Sequence, residues 1–233
     1  MNSLFIRGIK LRREAIEDFD EYPFNIPIIK NLTEIHFNKN VTFLVGENGC
    51  GKSTIIEALA VCMKLSPEGG SGYLNFESIN TTSELHEYLT LYKSAVLPKW
   101  KYFLRAESFY TLANAYENIC PDKSMHIRSH GEEFLAIFEQ FSPKGLYLLD
   151  EPESALSPNN QIKLLCIIDH LAKAGAQFII VTHSPILLSY RDGEILNLND
   201  NFTPISYEDT EIYNTYKMFL NNPDKMQCII FNE

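Results

Sequence analysis

Two hydrophobic periods alternate along this chain. Short, mostly apolar runs at Val41 to Val45, Leu146 to Leu149 and Gln177 to Thr182 predict buried strands. Between them apolar residues recur at helical spacing. Ile55 to Cys62 follows one run, and Phe134, Leu135, Ile137, Phe138 and Phe141 precede the next. Pro158 to Ala174 forms a third helical stretch, with Ser157 as its N-cap and Gly175 as its stop. Strand and helix in alternation imply a mostly parallel sheet with helices packed on it. Its ligand site belongs at the C-terminal ends of the strands.

The flanking segments read differently. Leu4 to Arg13 alternates apolar and basic residues, and Leu32 to Phe37 is a second strand signal. The short turn at Asn38-Lys39-Asn40 links it to Val41, which suggests an antiparallel N-terminal element beside the parallel sheet. Glu14 to Ile29, with Pro23 and Pro27, reads as a loop. Pro67, Gly69, Gly70 and Gly72 break the pattern after the first helix. Ser83 to Leu91 predicts a helix, Trp100 to Arg105 a strand and Thr111 to Asn118 a short helix. Residues 66–128 together read as a small, mostly helical peripheral insertion in a single domain spanning 1–233. Glu194 to Leu198 and Thr203 to Ser206 predict an edge hairpin, and Glu208 to Leu220 a last helix stopped at Asn221-Asn222-Pro223.

Composition narrows the class. The chain has 233 residues, 45% hydrophobic and 21% charged, which suits one large domain with an ordinary core. No apolar run approaches the roughly 18 residues of a membrane helix. Met1 to Arg7 lacks the layout of a signal peptide. The five cysteines, Cys50, Cys62, Cys120, Cys166 and Cys228, are odd in number and show no C-x-x-C spacing. These features predict a cytoplasmic protein with no cysteine metal site. The net charge is −10, and Arg191 to Glu233 holds eight acidic and three basic residues, a net of −5. So acidic a chain is a poor nonspecific binder of nucleic acid, because that affinity comes largely from neutralising phosphates. A local basic patch stays open.

The chemistry begins where the first buried run ends. Gly46-Glu47-Asn48-Gly49-Cys50-Gly51-Lys52-Ser53-Thr54 is the full G-x-x-x-x-G-K-S phosphate-loop pattern, between a strand and a helix. Its glycines allow the tight turn and the close approach of backbone to phosphate. Successive N–H groups and the helix N-terminus form an anion nest. Lys52 is expected to reach the terminal phosphates and Ser53 to ligate Mg²⁺, which implies a nucleoside triphosphate such as ATP. The second run delivers Asp150 and Glu151, followed by Pro152, to a strand end. Beside a phosphate loop, Asp150 is expected to hold Mg²⁺ and Glu151 to act as general base toward water. Ser129-His130-Gly131-Glu132 opens a helix; it suits either phosphate binding or an ordinary N-cap. His183 ends the third run, where it is either structural or a γ-phosphate contact.

The order of these motifs resembles the ABC-type ATPases. Ser129 to Glu132 resembles their signature motif, with Ser129 and Gly131 as its nucleotide contacts. Ser154 to Ser157 resembles their D-loop and His183 their switch histidine. Phe103 to Phe109, Ser129 to Glu132 and Thr182 to Leu188 are similar to the small standalone bacterial predicted ATPases with an SMC-like signature, often filed as AAA-family. That resemblance covers nearly the whole chain. Glu107 occupies the place of the glutamine loop, where a carboxylate would engage Mg²⁺, and His130 replaces the glycine of the transporter signature. Tyr22 lies 24 residues before Gly46, about where transporter ATPases carry an adenine-stacking aromatic; it equally suits covering a sheet edge. No helical lid or sensor arginine of the AAA+ kind follows the core.

The resemblance implies Mg-dependent ATP binding and hydrolysis. It also implies an ATP-dependent head-to-tail homodimer in which each phosphate loop is completed by the other chain's signature. Two alternatives remain: the ATPase subunit of a transporter, and a nucleotide-gated module of low turnover that regulates a defence or toxin partner.

Overall fold

The computed structural model describes residues 4–71, 83–105 and 135–231. The central sheet contains β3 (Val41–Val45), β4 (Gly70–Ser71), β6 (Trp100–Arg105), β7 (Gly145–Asp150), β8 (Gln177–Val181), β9 (Glu194–Asn197) and β10 (Thr203–Ile205). Its strand order is β10-β9-β3-β8-β7-β6-β4. The five strands from β9 to β6 run parallel, and β10 and β4 close the two edges antiparallel. This is the α/β, mostly parallel architecture that the strand and helix alternation calls for. The apolar runs are continuous because both faces are covered: every residue of β3, β7 and β8 is buried.

Alternate side chains divide between two cores. Leu44, Leu148, Ile179 and Val181 meet Ile55, Ile56 and Leu59 of α1 (Lys52–Cys62) on one face. Phe43, Tyr147, Phe178 and Ile180 meet Leu164, Ile168 and Leu171 of α2 (Pro158–Lys173) on the other. Ser157 caps α2 by accepting a hydrogen bond from Asn160 N–H, and Gly175 supplies the left-handed turn beyond it at φ 107°.

A second, three-stranded antiparallel sheet of order β2-β1-β5 packs into the first core. It comprises β1 (Ile6–Leu11), β2 (Glu34–His36) and β5 (Leu89–Lys93). Gln177, at the start of β8, fastens the two sheets together. Its Oε1 accepts from the N–H groups of Phe5 and Ile6 at 2.8 and 2.9 Å, and its Nε2 donates to Ile6 O at 2.7 Å.

Several details depart from expectation. β2 and β3 do not pair with each other; the turn at 38–40 crosses from one sheet to the other. The helix expected over 83–91 is a single 3₁₀ turn, Glu84–Tyr88, with Ser83 as its cap. From Leu89 the chain pairs with β1, and that tertiary pairing overrides local helical propensity. The described parts of 66–128 therefore hold more strand than helix, and β6 lies inside the central sheet. Residues 106–128, with the expected helix at 111–118, lie outside the described residues. The helix α3 (Glu211–Asn221) stops at Asn221-Asn222 as expected but is not the last: Pro223 opens a further helix, α4 (Pro223–Phe231). Proline is favourable in a first helical turn, where its missing N–H costs no hydrogen bond.

Candidate functional site

The parallel strands place their exits along one edge, and the candidate residues gather there. β3 ends at Val45, and Gly46 opens the phosphate loop. Gly49 and Gly51 take positive φ, 76° and 105°, conformations that side chains rarely adopt. Helix α1 starts directly after Gly51, so its N-terminus points into the loop. Lys52 is buried, and its Nζ donates to Gly46 O and Glu47 O at 2.8 Å each. A primary ammonium thus sits inside the ring of backbone that a phosphate would occupy.

β7 brings the two carboxylates alongside. Asp150 is paired in register with Val181 of β8 and with Arg105 of β6. Ser53 Oγ donates to Asp150 Oδ1 at 3.2 Å. A hydroxyl and a carboxylate held this close form a hard-oxygen donor pair of the kind Mg²⁺ takes from proteins, with its other ligands coming from substrate phosphates and water. Glu151 is left-handed, at φ 50° and ψ 52°. That sparsely populated conformation holds because its N–H donates to Val181 O at 2.9 Å and its carbonyl accepts from Ser154 N–H and Oγ.

β8 delivers the histidine. His183 Nε2 lies 3.9 Å from Glu151 Oε1, too far for a hydrogen bond. Nε2 is buried and, among the described residues, has no hydrogen-bond partner. Its pKa is pushed below the usual histidine value, first by burial and then by the nearby Lys52 ammonium, against a smaller opposite pull from Glu151. Neutral imidazole is the favoured form at neutral pH. An orphaned buried nitrogen is costly in a folded protein, and here it faces the phosphate loop and the general-base candidate.

Two residues that sequence reading passed over hold this geometry. Glu153 is mostly buried; its Oε2 accepts from Thr182 Oγ1 at 2.7 Å, and its Oε1 accepts from His183 N–H. Burial raises its pKa, partly opposed by those hydrogen bonds. Gln161 accepts from Ser184 Oγ at 2.6 Å and donates to Leu156 O at 3.0 Å. The segment 154–157 and the histidine loop are therefore tied at both ends. Behind the site, Arg105 Nη1 pairs with Glu57 Oε2 at 3.0 Å and fixes α1 to β6. An acid just after Asp-Glu-Pro reads in sequence as a solvated turn; only the fold closes the histidine loop over it.

The structure brings Gly46 to Thr54, Asp150, Glu151 and His183 to one edge. It leaves Tyr22 on the surface, 63% exposed. Of the neighbouring aromatics, Phe24 is buried in the first core and Phe19 packs against it edge-on. Glu107, Ser129 and Gly131 lie outside the described residues. Among the described residues no helix is long and apolar enough to cross a membrane.

A family model described as an AAA domain matches residues 16–174, more than half of the chain. The chain is 26% identical over 198 residues to a Sulfurisphaera tokodaii protein named "Putative ABC transporter ATP-binding protein". That match spans 76% of this chain but only 41% of the relative. The cytochrome c biogenesis ATP-binding export protein CcmA of Rickettsia conorii is 27% identical over 188 residues, 73% of this chain and 95% of that protein. Among solved structures, the SMC head domain from Thermotoga maritima aligns with a TM-score of 0.46 at 18% identity, over 83% of this chain and 95% of that one.

Proposed function

We infer the function from one premise: the chain belongs to the AAA domain family and is an ABC-type P-loop ATPase. We propose that it binds Mg·ATP at the C-terminal edge of the central sheet and hydrolyses it. The observation that carries this reading is the convergence there of Lys52, the Ser53–Asp150 oxygen pair, Glu151 and the unpartnered His183 Nε2.

Each residue then has a task. Lys52 exchanges its two carbonyl acceptors for the β and γ phosphates. Ser53 and Asp150 would hold Mg²⁺, which supplies charge neutralisation on the phosphates when bound. Glu151, held by its strained backbone, orients the attacking water and takes its proton. His183 Nε2 gains a partner in the γ-phosphate, and Glu153 positions it through the backbone. Isothermal calorimetry tests the binding half. Lys52→Ala is expected to abolish Mg·ATP binding, and wild-type affinity in that variant would overturn the site.

The second half of the proposal concerns assembly. Ser129 to Glu132 resembles a signature motif, which in the resembling family meets the phosphate loop of a second chain. ATP would then add contacts only in a head-to-tail dimer and shift the equilibrium by mass action. Light scattering of Glu151→Gln is expected to show a dimer with Mg·ATP and a monomer without it. Ser129→Arg in that background is expected to remove the shift, and a monomer throughout would overturn the dimer. A second reading, the ATPase subunit of a transporter, draws on the names of the two relatives above. Co-purification of a membrane-spanning protein with the tagged chain would favour it.

A further inference from the structure

A cavity of about 300 Å³ opens beside the phosphate loop, bounded by residues 47–50 of the loop itself. Its size is at the low end of small-molecule sites, roughly 300–1,000 Å³. Pro27, Ile28 and Leu198 supply apolar walls, and Asn31, Asn199 and Asn201 supply three side-chain amides beside that of the loop's own Asn48. Glu47 is the one charged residue among those lining it. Among the described residues neither lysine nor arginine lines it, so its chemistry suits a neutral heterocycle rather than a further phosphate.

Its position follows from the strand order. β3, which leads into the loop, lies between β8 and β9. His183, Asp150 and Glu151 exit from β8 and β7 on one side. Leu198, Asn199 and Asn201 follow β9 on the other. A triphosphate is a linear chain. With its terminal phosphate toward His183 and Glu151, its nucleoside end leaves the loop toward β9, where the cavity lies. The cavity is also joined to the loop: a methyl group placed on Gly46 would sit 3.1 Å from Asn199 Oδ1, and one on Gly51 would sit 3.3 Å from Ile28. Among the described residues, none of the three amide side chains bonds to another protein group. Asn201 holds a left-handed backbone at φ 48°, a conformation asparagine tolerates better than most residues.

We propose that this cavity is the base pocket of the ATP site, and that its asparagine amides select adenine over guanine. The inference rests on the ATP-binding reading above. An amide offers one acceptor and two donors. Adenine presents an amino donor beside a ring acceptor, which asparagine matches with two hydrogen bonds, whereas guanine's paired acceptors call for arginine or lysine. Pro27, Ile28 and Leu198 cover the faces of the ring. Tyr22, exposed and absent from the lining, takes no part in base recognition.

The test compares Mg·ATP, Mg·GTP and Mg·tripolyphosphate by calorimetry, in the wild type and in Asn31→Ala and Asn199→Ala. The wild type is expected to bind ATP about 5- to 100-fold more tightly than GTP, the range of one good amide–base pair. Each variant is expected to lose most of that preference while keeping its tripolyphosphate affinity, which also reports an intact loop. Equal affinity of the wild type for ATP and GTP would overturn the proposal, as would variants that bind ATP as the wild type does. Parallel loss of tripolyphosphate in both variants would also overturn it, since the amides would then be holding the loop rather than the base. A wild type that binds none of the three ligands would instead bring down the ATP-site reading on which the pocket depends.

Discussion

Strand β8 begins with one polar side chain and a second lies two residues past its end, and the two are treated in opposite ways. Gln177 at its start is fully buried and makes three hydrogen bonds, all to backbone of the other sheet. His183, two residues past its end, has a buried Nε2 with no hydrogen-bond partner among the described residues. Both positions pay the desolvation of a polar group, and only the first recovers it within the fold. A buried polar group that serves architecture is satisfied by the chain itself. One that serves a ligand is left with an unused valence, and its surroundings hold it in place rather than bond to it. At His183 that support comes from Glu153, which accepts from the backbone N–H and leaves the ring unbonded.

The contrast is open to attack from both ends. The largest expected effect is at the ligand end. Glu151→Gln should retain Mg·ATP binding and lose about 10²–10⁴ in turnover, the usual range for a general base. Steady-state phosphate release measures it, and unchanged turnover would move the base to another group. At the architectural end, Gln177→Leu removes the acceptor shared by Phe5 and Ile6 N–H. Urea unfolding should show a loss of about 1–3 kcal/mol for each donor left unsatisfied. Nucleotide affinity should stay within a factor of a few, because Gln177 lies at the opposite end of the strand from the site. Glu153→Ala should combine the two behaviours. It strands the His183 N–H and the Thr182 hydroxyl, so stability should fall by about 1–3 kcal/mol and turnover should fall with it. A variant that loses stability alone would make Glu153 purely architectural.

The smallest effect is a slope. The folded pKa of His183 is depressed, so on acidification the unfolded chain takes up this proton first. Stability from this residue is therefore present above the ordinary histidine pKa of about 6.5 and is lost as pH falls below it. The melting temperature of the nucleotide-free protein should drop more between pH 7.5 and 5.5 in the wild type than in His183→Ala. Parallel slopes would mean that His183 titrates as an ordinary surface histidine.

The grouping of the candidate site's residues at one sheet edge was legible in sequence because its parts are local. The phosphate loop is a contiguous pattern, and the apolar runs at β3, β7 and β8 end at the residues that matter. What sequence could not supply were roles created by long-range pairing. Glu153 and Thr182 are 29 residues apart and meet only when β7 and β8 lie side by side. Leu89 to Lys93 follows a well-capped helical turn, and its partner β1 lies far earlier in the chain, across the phosphate loop and α1. Asn199, between the two strands of the expected edge hairpin, comes beside Gly46 only because β9 pairs with β3. Tyr22 was read only by its distance from the loop along the chain, which carries no information on where its side chain lies; it is 63% exposed on the surface.

The central claim is that His183 Nε2 is kept unbonded for the terminal phosphate of ATP. The direct measurement is the imidazole ¹⁵N spectrum of Glu151→Gln, with the His183 signal among the six histidines assigned by its loss in His183→Ala. Mg·ATP should shift the His183 Nε2 resonance while Mg·ADP, which lacks the γ-phosphate, should leave it near its nucleotide-free position. No shift with bound ATP, or the same shift with bound ADP, would contradict the claim.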